Sequence, residues 1–259
     1  MFVNYCIINL YIRGVKLNEK IAFDFSFIIL SAGYGKRMNS DIPKGAMLLK
    51  NKPFVLHIVD TLEELGAEDI ITVVGYKKDV IIDILKDRVR YAYQEKQLGT
   101  ADAVRSALCY LNRNKKSIII PGDIPLITKD MIIKLIDFHM NNNNDFTILS
   151  FNQDEELYYG RIIRENNKVR EIKEYKELSL EEIDIKEVNS GIYITDNNIL
   201  FDYLKNINND NNQREFYFTD IISEIVNSKK VDALVFETSY NLIGINDQKM
   251  LKYIESRIS

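Results

Sequence analysis

Tryptophan is absent from the 259 residues, and cysteine and histidine occur twice each. No apolar run approaches the roughly 18 residues that a membrane helix needs. Each shortage removes a class of function. Cys6 and Cys109 cannot build a metal cluster or a disulfide scaffold between them, and they fit a reducing compartment. With His57 and His139 the only imidazoles, the sequence argues against a zinc enzyme and a Ser-His-Asp hydrolase. The apolar segment Phe2 to Ile12 has neither a basic leader nor a small-residue cleavage site, so the expected location is the cytoplasm, with no membrane partner. Positive charge is not in excess either. Lys+Arg number 34 against 38 Asp+Glu, a net charge of −4. Such a chain has no electrostatic reason to hold nucleic acid nonspecifically, although a local basic site for an anionic ligand is compatible with it.

What is present is enough for a packed core. Hydrophobic residues make up 46%, with Tyr 15 and Phe 12 supplying aromatic bulk, in a chain long enough for one large domain or two small ones. Residues 1–24 read as an added β-rich extension. Order begins at Phe25, where Phe25 to Leu30 forms a buried-strand run ending in Ser-Ala-Gly. A helical stripe from Pro53 to Leu65 stops at Gly66, and strands follow at Ile70 to Val74, Val89 to Tyr93 and Ser117 to Ile120. Helices are expected between them, at Val80 to Leu85 and Thr100 to Leu111, and afterwards at Ile127 to Met140. This alternation predicts an α/β fold, a mostly parallel sheet with helices on both faces, whose ligands bind at the carboxyl ends of the strands.

After Asn144 the pattern becomes richer in strands, at Phe146 to Phe151, Gly160 to Arg164, Val169 to Tyr175, Glu187 to Thr195, Val231 to Phe236 and Tyr240 to Ile245. Asn166-Asn167 marks a turn between two of them. Helical patterns return at Asn198 to Leu204, Thr219 to Val226 and Asp247 to Ile258. His57 and Cys109 read as packing residues, and the charge run Glu177 to Lys186 as a solvated loop.

Three polar segments follow predicted strands and therefore share one sheet edge. In Ser31-Ala32-Gly33-Tyr34-Gly35-Lys36-Arg37, the glycines let backbone N–H groups approach phosphate oxygens while Lys36 and Arg37 add charge. This is neither a P-loop nor the dinucleotide fingerprint, because no Gly-Lys-Ser/Thr closes it and Met38 stands where a third glycine belongs. Gln94 to Ala101 opens a helix, and Pro121-Gly122-Asp123 places a carboxylate at a strand end, where Mg²⁺ can be held.

Leu30 to Lys44 resembles the L-[AS]-A-G-x-G-T-R-M-x-S-x-x-P-K signature of sugar-phosphate nucleotidylyltransferases. The resemblance is nearest to the uridylyltransferase domain of bacterial N-acetylglucosamine-1-phosphate uridylyltransferases. It extends over residues 25–259 through Gln97-Leu98-Gly99-Thr100-Ala101, Gly122-Asp123-Ile124-Pro125-Leu126, Tyr159-Gly160-Arg161-Ile162, Ile172 to Lys176, Glu187 to Tyr193, Glu215 to Asp220 and Gly244-Ile245-Asn246.

The resemblance implies a Rossmann-like sheet with a smaller β-rich sugar-binding region, the nucleotide-diphospho-sugar transferase fold. It implies one domain over 25–259, with 25–145 binding nucleotide and 146–259 binding sugar. Its substrates would be UTP and a sugar 1-phosphate, its cofactor Mg²⁺, and its product a precursor for the cell envelope. Leu30, Ala32, Gly33, Gln94, Gly99 and Thr100 would hold the nucleoside. Arg37 and Lys44 would hold the triphosphate as catalytic residues, and Asp123 and Asn246 the metal. Gly160, Glu174, Asn189, Tyr217 and Thr219 would line the sugar pocket. A homo-oligomer is compatible with all of this.

Two departures stand out. Lys36 replaces the family's usual Thr, and Gly45-Ala46-Met47 follows Lys44 in place of the usual bulkier continuation. No hexapeptide repeats occur, so no acetyltransferase activity is expected. Two other readings are open. One is a nucleotidyltransferase of the same fold using another nucleotide and another sugar or alcohol phosphate. The other is a silent regulatory domain, against which the intact Arg37, Lys44, Asp123 and Asn246 argue.

Overall fold

The first predicted strand, β1 (Phe25–Ser31), is buried at every position but Leu30, because both of its faces are covered. The structure is a computed structural model that describes residues 25–38, 41–153, 158–211, 213–237 and 240–258. The expected extension, residues 1–24, and the side chain of Lys36 lie outside the described part.

A short hairpin, β2 (Leu48–Leu49) and β3 (Lys52–Pro53), precedes the remaining strands of the main sheet. β1 pairs in parallel with β4 (Ile70–Val74), which pairs in parallel with β5 (Arg90–Tyr93). On its other side β1 pairs in parallel with β6 (Lys116–Pro121). Beyond β6 the direction reverses. β7 (Phe146–Asn152) does not pair with β6; a later strand, β10 (Glu187–Asp196), lies between them, antiparallel to both. β11 (Val231–Phe236) closes that edge in parallel with β7. β8 (Arg161–Glu165) and β9 (Lys168–Lys173) form a hairpin attached through β8 to β10. Asn166 and Asn167, at φ 50° and 63°, supply the two left-handed residues that a tight type I′ turn requires. The order of the main path is β11-β7-β10-β6-β1-β4-β5, so the second half of the chain extends the sheet begun by the first.

The period-2 alternation of the strands separates two apolar layers. Phe27 and Ile29 of β1, with Ile118 and Ile120 of β6, pack under α1 (Phe54–Leu65), α2 (Lys78–Leu85), α4 (Lys129–Asn141) and α7 (Gln248–Arg257). Ile28 and Ile119 face the opposite layer, made by α3 (Thr100–Ala107), α5 (Asn197–Tyr203) and α6 (Ile221–Ile225). The helix ends follow from sequence chemistry. Gly66 closes α1 at φ 86°, and the Thr128 and Asp247 side chains accept N–H bonds at the starts of α4 and α7. Among the described residues no helix is long and apolar enough to cross a membrane.

Two expectations are corrected. Tyr240 to Ile245 is not a strand: Tyr240–Leu242 is a single 3₁₀ turn, and the Ile245 N–H donates to the Asp123 carbonyl at 2.8 Å. Its apolar residues are buried by packing rather than by ladder pairing. Cys109 is exposed rather than packed inside a helix, because α3 ends at Ala107 and the 3₁₀ turn Leu108–Tyr110 takes over.

Candidate active site

The parallel strands deliver the three polar loops to one edge, and there they border a cleft of about 690 Å³. That volume falls in the range of small-molecule sites. Leu30, Ala32 and Gly33 line it from the end of β1, and Gln94, Gly99 and Thr100 from the segment between β5 and α3. Gly33 has no atom within 4 Å of where a side chain would start, so its backbone is open to a ligand.

Gly99 is constrained differently. It has φ +124°, and a Cβ there would lie 2.5 Å from the Phe216 carbonyl oxygen. That contact belongs to a clasp between distant segments. Phe216 N–H donates to Leu98 O and Ala101 N–H to Phe216 O, each at 2.8 Å, and Thr100 Oγ1 accepts from Phe218 N–H at 2.9 Å.

In the lining of the cleft Arg37, Lys44, Asp123 and Asn246 meet. Pro43 is extended, at φ −62° and ψ 148°, and starts the 3₁₀ turn Lys44–Ala46. Lys44 Nζ donates to the Asp123 carboxylate and, at 2.5 Å, to Asn246 Oδ1, while Arg37 donates to the same amide oxygen at 3.4 Å. The segment carrying Asn246 is fixed from two sides. Ile245 N–H bonds to Asp123 O, and Gly244 N–H donates to the Tyr159 hydroxyl at 2.6 Å. Burial first, and the Asp123 charge second, push the Tyr159 hydroxyl well above the ordinary tyrosine range, which keeps it a neutral hydrogen-bonding group.

The donor set suits Mg²⁺. A carboxylate oxygen and an amide oxygen already converge on one cationic atom, Lys44 Nζ, and both are hard ligands of the kind that hold this ion together with substrate phosphates. Among the described residues no cluster of three or more His, Cys, Asp or Glu offers an all-protein cage.

The same cleft is lined by Glu174, Asn189 and Thr219. Thr219 Oγ1 donates to Glu174 Oε1 at 3.0 Å. Burial raises the Glu174 carboxyl above its ordinary value; the Thr219 bond opposes this, while Glu177, Asp220 and Glu215 reinforce it. Asp220 is pushed up to about 6 by burial and by Glu177. Asn189 reaches the cleft because β10 bulges between Asn189 and Ile192, with Gly191 at φ 83°. Its amide is held by Tyr193 Oη at 2.7 Å and by the Gly191 N–H at 3.0 Å.

Two of the expected sugar-site residues stand away from the lining. Gly160 lies behind Asn189, its carbonyl accepting the Asn189 N–H at 2.9 Å, and Tyr217 is half-buried outside the cleft surface. Conversely, Ser31, Gln97, Tyr193, Gln213 and Glu215 line the cleft without having been singled out for it. The cleft-facing Tyr193 had only its place in the Glu187 to Tyr193 motif as a signal, and Gln213 had none.

Comparison with known proteins agrees with this architecture. The sequence profile of the family described as nucleotidyl transferase matches residues 26–242. The bifunctional protein GlmU of Acholeplasma laidlawii is 39% identical over 238 residues, covering 90% of this chain and 52% of the relative. Its namesake from Caldanaerobacter subterraneus subsp. tengcongensis is 43% identical over 230 residues, covering 88% and 50%. The chain thus spans about half the length of the curated relatives it matches. Among solved structures, HddC from Yersinia pseudotuberculosis complexed with GMP-PN superposes with a TM-score of 0.67 at 23% identity, over 90% of this chain and 99% of that one. At that identity the likeness speaks to the fold, which is that of the nucleotide-diphospho-sugar transferases.

Proposed function

The chain belongs to the nucleotidyl transferase family and is a nucleotidyltransferase, and from that premise we propose that it transfers uridylyl from UTP to N-acetylglucosamine 1-phosphate or a close sugar 1-phosphate, releasing pyrophosphate. The observation that carries this reading is the layout of the cleft. Arg37 and Lys44 beside Asp123 and Asn246, the glycine loop with Gln94, and the Glu174–Thr219 pair all line one and the same cleft. The relatives named bifunctional protein GlmU support the choice of substrates.

In this reading a phosphate oxygen of the sugar 1-phosphate attacks the α-phosphorus of UTP. A new P–O bond forms, the α–β bridging P–O bond breaks, and its electron pair leaves with pyrophosphate. The attacking oxygen is already anionic, so no general base is required, and the scarcity of histidine is no obstacle. The chain must instead bring two anions together and stabilise charge as it develops. Arg37 and Lys44 do this at the triphosphate. The loop Ala32-Gly33 offers backbone N–H groups, Gln94 reads the base, and Glu174 with Thr219 accepts and donates bonds to sugar hydroxyls or the acetamido group. Asp123 and Asn246 would hold Mg²⁺, which when bound neutralises phosphate charge. The test is pyrophosphate release by the purified protein with each nucleoside triphosphate against a panel of sugar and alcohol phosphates. UTP with N-acetylglucosamine 1-phosphate is expected to be the best pair, and a different best pair would replace this assignment.

A further inference from the structure

The sequence assigns Asp102 no catalytic role; in the structure it stands in the first turn of α3, where negative charge is favourable. The structure gives it more. One oxygen, Oδ2, accepts from Gln94 Nε2 at 2.9 Å, and the other, Oδ1, accepts from Arg105 at 3.4 Å. Arg105 is itself anchored by a 2.8 Å bond to the Leu204 carbonyl and lies over the Phe216 ring. The carboxylate is therefore held from both sides.

Gln94 is 4% exposed and lines the cleft. Its Nε2 donates twice, to Asp102 and to the Gly99 carbonyl at 3.1 Å. Both partners can only accept, so rotating the amide by half a turn would set Oε1 against two oxygens. The amide is thus locked with Nε2 toward the protein. Oε1, which has no protein partner among the described residues, is the atom it presents to a ligand.

Resting on the uridylyl-transfer reading above, we infer that Asp102 is a positioning residue for nucleotide specificity: by holding Gln94 Nε2, it makes the base site an acceptor. Uracil offers N3–H to such an acceptor. Cytosine carries a lone pair at the same ring position and would meet Oε1 with repulsion. Without Asp102, only the Gly99 carbonyl would oppose rotation of the amide, and a rotated Gln94 could serve cytosine with Nε2.

The experiment is the ratio of kcat/KM for UTP to that for CTP, measured with N-acetylglucosamine 1-phosphate, in the wild type and in Asp102→Ala, Asp102→Leu and Asp102→Asn. The ratio is internal to each preparation, so a fraction of unfolded protein cancels. Asp102→Ala and Asp102→Leu, which keep no acceptor, are expected to lower the UTP/CTP ratio roughly 10-fold, the lower end for a charge-assisted hydrogen bond. Asp102→Asn, whose carbonyl can still accept, should stay within about threefold of wild type. A ratio unchanged in Asp102→Ala and Asp102→Leu, or equal losses with both nucleotides, would overturn the inference. Failure of the UTP assignment appears separately, in the wild type. A wild-type preference for GTP would overturn that assignment alone and move the variant test to the GTP/ATP ratio. A wild-type preference for CTP over UTP would overturn both.

Discussion

Lys44 and Asp123, 79 residues apart in sequence, form an ion pair in the lining of the cleft, with side-chain exposures of 19% and 17%. The pair joins the turn after the glycine loop to the end of β6, and it puts the ammonium where two oxygen ligands converge. Lys44→Ala is expected to lower kcat/KM about 10²-fold, as loss of an electrostatic stabiliser does. The same change should cost stability only about 1 kcal/mol, because the pair is reached by solvent and Asp123 keeps access to water. Steady-state pyrophosphate release and a thermal melt on the same preparation separate the two effects; a melt lowered in proportion to activity would make Lys44 a structural residue.

Glu174→Ala addresses the sugar wall. Loss of a charge-assisted acceptor is worth about 1.5–3 kcal/mol, or roughly 10- to 150-fold in kcat/KM for the sugar phosphate. The KM for UTP should move far less. Because burial raises the Glu174 carboxyl, protonation begins at a higher pH than for an ordinary glutamate, and KM for the sugar phosphate should rise as pH falls. Glu174→Gln should flatten that rise, which separates it from titration of the substrate. Equal impairment with both substrates would remove Glu174 from the sugar pocket.

Asp220 predicts a stability effect of definite sign. Its folded carboxyl is pushed from 3.8 up to about 6, so the folded protein holds this proton more tightly than the unfolded chain does. The contribution is full below about pH 4 and is lost as pH rises through about 6. The shift corresponds to at most about 3 kcal/mol at neutral pH. Asp220→Asn should therefore raise Tm at pH 7.5 and change it little at pH 4. A variant that melts lower than wild type at pH 7.5 would show that ionised Asp220 makes a favourable contact.

Gly45 explains one of the departures from the family signature. A Cβ at this position would lie 2.1 Å from Ser31 Oγ, a buried hydroxyl with no hydrogen-bond partner among the described residues. Gly45→Ala should destabilise by about 1–3 kcal/mol through overpacking. Adding Ser31→Ala should recover most of that loss in chemical denaturation. If the double variant is no more stable than Gly45→Ala, the two positions are not coupled.

The parallel half of the fold was legible because strands buried on both faces read as unbroken apolar runs, and helices between them read as stripes. That was enough to place Gly33, Gln94 and Asp123 at one edge. The antiparallel insertion of β10 between β6 and β7 was not legible, since strand order is a tertiary choice that periodicity does not encode. The bulge at Asn189 and the clasp between Leu98 and Phe216 were hidden for the same reason. Ile243 and Ile245 suggested a strand because buried loop residues and buried strand residues look alike in a short window. Asp102 carried no signal in the sequence, and only its bond to Gln94 brings it into the site.

Whether the cleft is the site of nucleotidyl transfer is tested most directly by Asp123→Asn, assayed for UDP-sugar and pyrophosphate over a Mg²⁺ titration. A carboxylate would become a neutral amide, a weaker ligand for a hard cation, with little change in shape. The predicted result is a folded protein whose two products fall together by about 10²-fold or more at saturating Mg²⁺. Wild-type turnover by that variant at saturating Mg²⁺ would contradict the role given to Asp123 and, with it, the placement of the chemistry in this cleft.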